Sequence, residues 1–180
     1  MRLPRTLLIA AFAAMTSIPA LAEPGLVVIV RHAERGSEPA ADPALTPEGV
    51  NRASVLASAL ASANITSVIT TQYRRTRDTA GPLAKAFGIE PLVVPARPGD
   101  ASTHLRDVVD AIRQQSGNVL VVGHSDTVSA ILAALNGPTL PKLCDTSFDH
   151  VYVLAYANPK SSFLHLRYGE PGAAPKEGCL

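Results

Sequence analysis

The sequence predicts an α/β domain with a mostly parallel central sheet, and two observations carry that prediction. Short apolar runs alternate with longer segments whose apolar residues recur at helical spacing, the order that strand–helix–strand units require. The apolar runs are also too short for helices and read as buried strands.

Residues 26–30 form the first expected strand. Thr46 stands where a helix N-cap belongs, with Pro47 at the first helical position and Glu48 in the first turn, each favoured there by backbone geometry or the helix dipole. Val50, Ala53, Leu56 and Leu60 keep one apolar face along that helix. Residues 66–70 are the second strand. Residues 73–87 read as a second helix that Gly81 and Pro82 should kink or split, because proline removes a backbone donor. Gly88 ends it. A third strand over 91–94, a third helix over 103–114 and a fourth strand over 118–122 follow. Ser125 or Asp126 is expected to cap a fourth helix, which runs through Leu135 and stops before Asn136, Gly137 and Pro138. Two more strands, near 150–156 and 162–168, flank an Asn158-Pro159-Lys160-Ser161 turn.

The N-terminus carries an address. Arg2 and Arg5 precede an apolar stretch over 7–15 that ends in Ala20-Leu21-Ala22, the pattern of a secretory signal peptide cleaved after Ala22. That stretch is shorter than the roughly 20 residues that span a bilayer, so no stable membrane insertion is expected after cleavage. Residues 23–180 are then a single domain in the periplasm or outside the cell. Loss of Arg2 and Arg5 takes the formal net charge from +1 to about −1. With no basic stripe along the chain, nucleic acid is not an expected partner. The composition leaves oligomeric state open.

Cys144 and Cys179 are the only cysteines, and an oxidising compartment converts paired thiols to disulfides. A bridge between them would restrict the unfolded chain by roughly 4 kcal/mol and staple a Pro/Gly-rich tail. Two separate free thiols are the alternative.

In sheets of this kind ligands gather at the carboxyl ends of the strands. His32 falls just past the first strand, His124 just past the fourth, and Arg75 at the start of the helix after the second. Arginine presents a planar fork of donors that matches phosphate oxygens in pairs, so Arg31 and Arg75 suit a phosphoryl dianion. The N-terminus of the helix after His124 is expected to add backbone donors. A histidine nucleophile must be neutral, and neighbouring arginines lower its pKa. His32, beside Arg31, is the expected nucleophile, and His124 is expected to steady the phosphoryl oxygens.

Four segments, Arg31-His32-Ala33-Glu34, Leu45-Thr46-Pro47-Glu48-Gly49, Arg75-x-x-x-Thr79-Ala80 and Val122-Gly123-His124-Ser125, resemble the histidine phosphatase, or phosphoglycerate mutase-like, superfamily. The likeness spans most of residues 23–180. It implies a three-layer α/β/α fold, a phosphorylated His32, phosphate binding by Arg31, Arg75 and His124, and neither metal nor other cofactor. A small exported bacterial phosphatase acting on a small phosphorylated substrate is the member it suggests.

The proton donor to the leaving group is less marked. Asp100, Asp126 and Glu34 are candidates, and Asp100 is preferred, since Asp126 also suits a helix cap and Glu34 an arginine partner. Arg74 reads as a solvated neighbour of Arg75, and Tyr73 as pocket lining or packing. His104, His150 and His165 read as ordinary surface or sheet residues. The chain is too short for the insertions that accompany mutase activity. Two other readings compete: a metal hydrolase using His32, Glu34 and His124, and a phosphate-binding module without turnover.

Overall fold

The structure, a computed structural model, describes residues 24–157, 160–172, 174 and 176–180. The expected signal peptide over 1–22 and the Asn158-Pro159 turn lie outside the described residues. The elements run β1 (Leu26–Arg31), α1 (Pro47–Ala59), β2 (Ile65–Thr70), α2 (Arg74–Phe87), β3 (Leu92–Val93), α3 (Ala101–Arg113), β4 (Asn118–Gly123), α4 (Val128–Ala134), β5 (His150–Ala157) and β6 (Lys160–Arg167). They build one sheet of order β3-β2-β4-β1-β5-β6. β1 to β4 pair in parallel, and β5 and β6 extend the sheet antiparallel.

Successive side chains on a strand point to opposite faces, and here both faces are covered. Val27, Ile29, Val119 and Val121 pack with Val108 and Ile112 of α3 and with Ile131 and Leu132 of α4. Val28, Val30, Leu120 and Val122 pack with Leu56 of α1 and with Ala80 and Leu83 of α2. The result is the expected three-layer α/β/α arrangement. Each such aliphatic side chain, fully buried, contributes roughly 1.5–3 kcal/mol, so the two central strands anchor the domain.

Several local expectations are corrected. Gly81 and Pro82 do not split α2, which is one helix through Phe87. Thr79, Ala80, Leu83 and Ala84 are buried on its inner side, and that packing outweighs the single donor proline lacks. α3 starts at Ala101, two residues early, because the Asp100 side chain accepts from the Thr103 N–H and caps it. Neither Ser125 nor Asp126 caps α4. Its N-cap is Thr127, and a turn over 125–127 separates His124 from the helix. Cys144 and Cys179 form a disulfide. Among the described residues no helix is long and apolar enough to cross a membrane.

Candidate active site

Sheet register builds the site. β1 pairs with β4 so that Arg31 faces Gly123, and the ladder continues one step through a His32 N–H bond to the Gly123 carbonyl, 3.0 Å. The next residue on each strand is a histidine, and the two rings meet edge to face with centroids 5.4 Å apart. On the other flank of β4 lies the end of β2, where Thr71 Oγ1 is 3.1 Å from His124 Nε2. Three adjacent strand ends thus supply Thr71, His124 and His32 in a row.

The α1 motif serves the same edge. The Thr46 N–H donates to the Glu34 carbonyl at 3.0 Å, bringing the start of α1 against the segment after His32. Any side chain at Gly49 would collide with that carbonyl. Thr79, one turn into α2, accepts from the Ala33 N–H at 2.8 Å and donates to the Arg75 carbonyl at 2.6 Å. It ties the arginine's helix to the histidine's loop.

His32 Nδ1 lies 2.7 Å from the Ala33 carbonyl. A carbonyl only accepts, so Nδ1 carries the proton and Nε2 keeps its lone pair. Burial pushes the His32 pKa down to about 3, with the nearby charge of Arg31 adding to the fall and the Ala33 bond opposing it. His124 is pushed down to about 4, again by burial and then by Arg75. Both rings are neutral at neutral pH.

The arginines are held differently. Arg31 is buried, and its Nη1 donates to the carbonyls of Cys144 (2.7 Å) and Ser147 (3.2 Å). Its guanidinium carbon sits 4.2 Å from the centre of the Phe148 ring, and that ring is also 6.2 Å from His32. Arg75 is half-buried and stacks on Tyr73 at 4.1 Å, and Tyr73 in turn meets His124 edge on at 5.7 Å. The Nε atoms of both arginines are buried without a hydrogen-bond partner. Buried donors are normally paired, so these two are available to an anion that enters the site. Tyr73, left open between lining and packing by sequence, lines the site.

Other expected residues stand elsewhere or are occupied. The Asp100 carboxylate accepts from Ser102 and from the Thr103 N–H as the cap of α3. Bonds from the Thr103 hydroxyl and backbone hold it below the usual carboxylate range, the reverse of what an acid needs. Glu34 takes both its oxygens to Arg52 Nε, at 2.8 and 3.0 Å. Asp126 is exposed, caps no helix, and lies within electrostatic reach of His124. The N–H groups of Thr127 and Val128 turn back onto the His124 carbonyl, so this pair does not supply the expected phosphate cradle. Arg74 is exposed, with its backbone N–H on Asp42.

His150 and His165 are sheet residues, on β5 and β6, whereas His104 is buried on α3 and is neither a surface nor a sheet residue. His104 Nδ1 bonds the Pro95 carbonyl at 3.0 Å, and His150 pairs with His165 through ring nitrogens 2.9 Å apart. Sequence reasoning missed Thr71 and Phe148 entirely. Thr71 carried a usable signal, being the residue directly after a strand at the ligand edge. Phe148 carried none, since it comes from an irregular segment between α4 and β5. Among the described residues no group of three or more His, Cys, Asp or Glu side chains is arranged to hold a metal ion.

Comparison with known proteins bears on the fold and the family. Residues 27–97 match the family model of the histidine phosphatase superfamily (branch 1). No curated protein sequence matches the chain at a significant level. Among solved structures, the protein histidine phosphatase SixA complexed with tungstate is similar with a TM-score of 0.63 and 19% identity, over 79% of this chain and 96% of its own. A mycobacterial glucosyl-3-phosphoglycerate phosphatase complexed with VO3 gives 0.59 and 14%, over 80% and 99%. Phosphoglycerate mutase from Bacillus anthracis gives 0.62 and 13%, over 81% and 94%. At these identities the structural likeness speaks for the fold, and the sequence match over β1 to β3 speaks for the lineage. The chain is thus similar to the histidine phosphatase superfamily in sequence over residues 27–97 and in fold over most of its length.

Proposed function

We propose that the chain is an exported phosphatase that hydrolyses small phosphomonoesters through a phosphohistidine on His32. One observation carries the reading: the Ala33 carbonyl fixes the Nδ1 proton of His32 and leaves Nε2 unprotonated, beside two arginines whose Nε donors have no partner. In the first step the Nε2 lone pair attacks phosphorus while the P–O bond to the leaving group breaks, and the departing oxygen takes a proton. Arg31 and Arg75 bear the charge that spreads over the phosphoryl oxygens. In the second step water attacks phosphorus, the P–N bond breaks, and inorganic phosphate leaves with His32 restored.

Asp126 is the carboxylate we assign as proton donor, because it is free of capping and lies near His124. The arginine-bearing sequence ahead of 7–15, ending at Ala22, supports export, and the disulfide is consistent with it. Glu34, which a metal hydrolase would recruit, is engaged by Arg52. The binding-module reading draws on one feature, the role of Asp100 as a helix cap instead of an acid. Turnover of 4-nitrophenyl phosphate separates the two. His32→Ala is expected to remove turnover with the fold retained, and wild type quenched during turnover in alkaline denaturant is expected to hold base-stable, acid-labile phosphate. Undiminished activity in His32→Ala would end the phosphohistidine mechanism.

A further inference from the structure

The disulfide lies on the path that fixes Arg31. Cys144 supplies both a bridge sulfur and the backbone carbonyl that accepts from Arg31 Nη1 at 2.7 Å. The second carbonyl on Nη1, from Ser147, belongs to the turn that Cys144 opens, closed by a Ser147 N–H to Cys144 carbonyl bond of 3.0 Å. The adjacent Phe148 stacks on the guanidinium. This segment has no helix or strand of its own between α4 and β5. Its backbone is instead clamped by the chain terminus: the Cys144 N–H donates to the Leu180 carbonyl at 2.7 Å, and the Leu180 N–H to the Lys142 carbonyl at 2.9 Å. The bridge to Cys179 fastens that terminus in place.

We propose that the Cys144–Cys179 bridge is a positioning element for phosphate binding: it holds the carbonyls that aim Arg31, so oxyanion affinity depends on the disulfide. The inference rests on the phosphatase reading for its role in turnover, but not for its role in anion binding. An unfastened terminus leaves the backbone past Leu143, which stays tied to the Ser125 carbonyl, without its clamp at Cys144, and the pair of carbonyls that Arg31 uses is then no longer fixed. A buried guanidinium freed in this way reorients toward other acceptors and no longer presents Nε to the anion. Among the described residues no such backbone acceptors hold Arg75, whose helix is packed in the core through Thr79 and Leu83.

The test is a double-mutant cycle on the full chain, comparing the oxidised wild type, Cys144→Ser/Cys179→Ser, Arg31→Ala and the combination. Inorganic phosphate affinity is measured by calorimetry and kcat/KM with 4-nitrophenyl phosphate, each sample first shown to melt cooperatively. Loss of the bridge is expected to weaken phosphate binding and kcat/KM by about tenfold to a hundredfold, the scale of one misplaced charge-assisted donor. In the Arg31→Ala background the same change is expected to add less than about twofold, because the residue it acts through is gone.

Equal losses in both backgrounds would show that the bridge merely supports the fold and would overturn the proposal. So would unchanged phosphate affinity in the folded, bridge-free chain. Should the serine variant not melt cooperatively, the cycle is run on chilled, folded wild-type and Arg31→Ala proteins reduced with dithiothreitol. Two electrons and two protons then convert the bridge to two thiols, and the reagent closes to its cyclic disulfide. An oxidised wild type that binds phosphate but turns over no ester would count against the phosphatase reading, and the calorimetric cycle would still decide this one.

Discussion

Arg31 and Arg75 face the same pair of histidines, yet the molecule builds them in opposite ways. Arg31 is buried at the end of a central strand, its Nη1 shared between two backbone carbonyls and its face covered by Phe148. Arg75 stands half-buried in the first turn of α2, and its stacking partner is the neighbouring Tyr73. One guanidinium is fixed before an anion arrives, and the other is free to adapt to it. The difference teaches that preorganisation here is bought with long-range contacts: Arg31 is aimed by residues more than a hundred positions away in sequence, Arg75 by its own helix.

The sharpest way to test the contrast is to keep the charge and change the fork. Lysine cannot reach two carbonyls and an anion at once, because it has one point-like ammonium instead of a planar set of donors. Arg31→Lys is expected to lower kcat/KM by about a hundredfold to a thousandfold, close to Arg31→Ala. Arg75→Lys is expected to recover all but roughly tenfold of the wild-type value, since a charge in place is most of what an adaptable ligand provides. Equal losses in the two lysine variants would show that the arginines are held alike.

The carboxylates repeat the contrast between occupied and free groups. If Asp126 protonates the leaving oxygen, Asp126→Asn is expected to slow an alkyl phosphate by about a hundredfold and an aryl phosphate little, because a phenolate departs unaided. Asp100→Asn is expected to leave both rates within about twofold and to keep the α3 cap, since asparagine caps a helix about as well as aspartate. A leaving-group dependence in Asp100→Asn and none in Asp126→Asn would reverse the assignment.

The stacked aromatics offer a smaller handle. Phe148→Leu and Tyr73→Leu each remove a cation–π contact with an arginine, expected to be worth at most roughly tenfold in phosphate affinity. Phe148→Leu is expected to act on KM for every substrate, because Arg31 keeps its carbonyls and loses only its cover. Tyr73→Leu is expected to be the larger of the two, since Arg75 has no such backbone partners in reserve. The reverse ranking, measured by phosphate calorimetry, would contradict the view of Arg31 as fixed.

How much of this was legible in the sequence follows from where each residue sits. His32, His124 and Arg31 could be placed because each lies within a residue or two of a strand end, and strand ends in a parallel sheet are the ligand edge. Arg75 followed from a helix start. Phe148 and the carbonyls of Cys144 and Ser147 could not be placed, since an irregular segment has no periodicity and its path is set by contacts with Leu180 and Arg31. Asp100 misled for a specific reason. Starting α3 at Thr103 left Asp100 in a loop as an available carboxylate, whereas a start at Ala101 turns the same residue into a cap. The Gly81-Pro82 pair signals a break by local propensity alone, and the buried face of α2 overrides it.

The smallest expected effect is also the most discriminating for the two arginines. Burial is the main cause of the low pKa of both histidines, and the cations add to it unequally: the largest charge contribution comes from Arg31 for His32 and from Arg75 for His124. Removing a cation raises the pKa of the ring it faces. Arg31→Ala is therefore expected to raise His32 more than His124, and Arg75→Ala to raise His124 more than His32, as followed by NMR of the ring protons. The same depression sets stability. A histidine whose folded pKa lies below its unfolded value of about 6.5 contributes fully above that pH. Its contribution is lost as pH falls from there toward the folded value, near 3 for His32 and 4 for His124. In that window each ring steepens the loss by up to about 1.4 kcal/mol per pH unit, because the unfolded chain takes up a proton that the folded one refuses. His32→Asn is expected to flatten the acid limb of the denaturant midpoint between pH 6.5 and 4. An unchanged limb would mean that His32 is solvated and already protonated there, and a protonated ring has no lone pair with which to attack phosphorus.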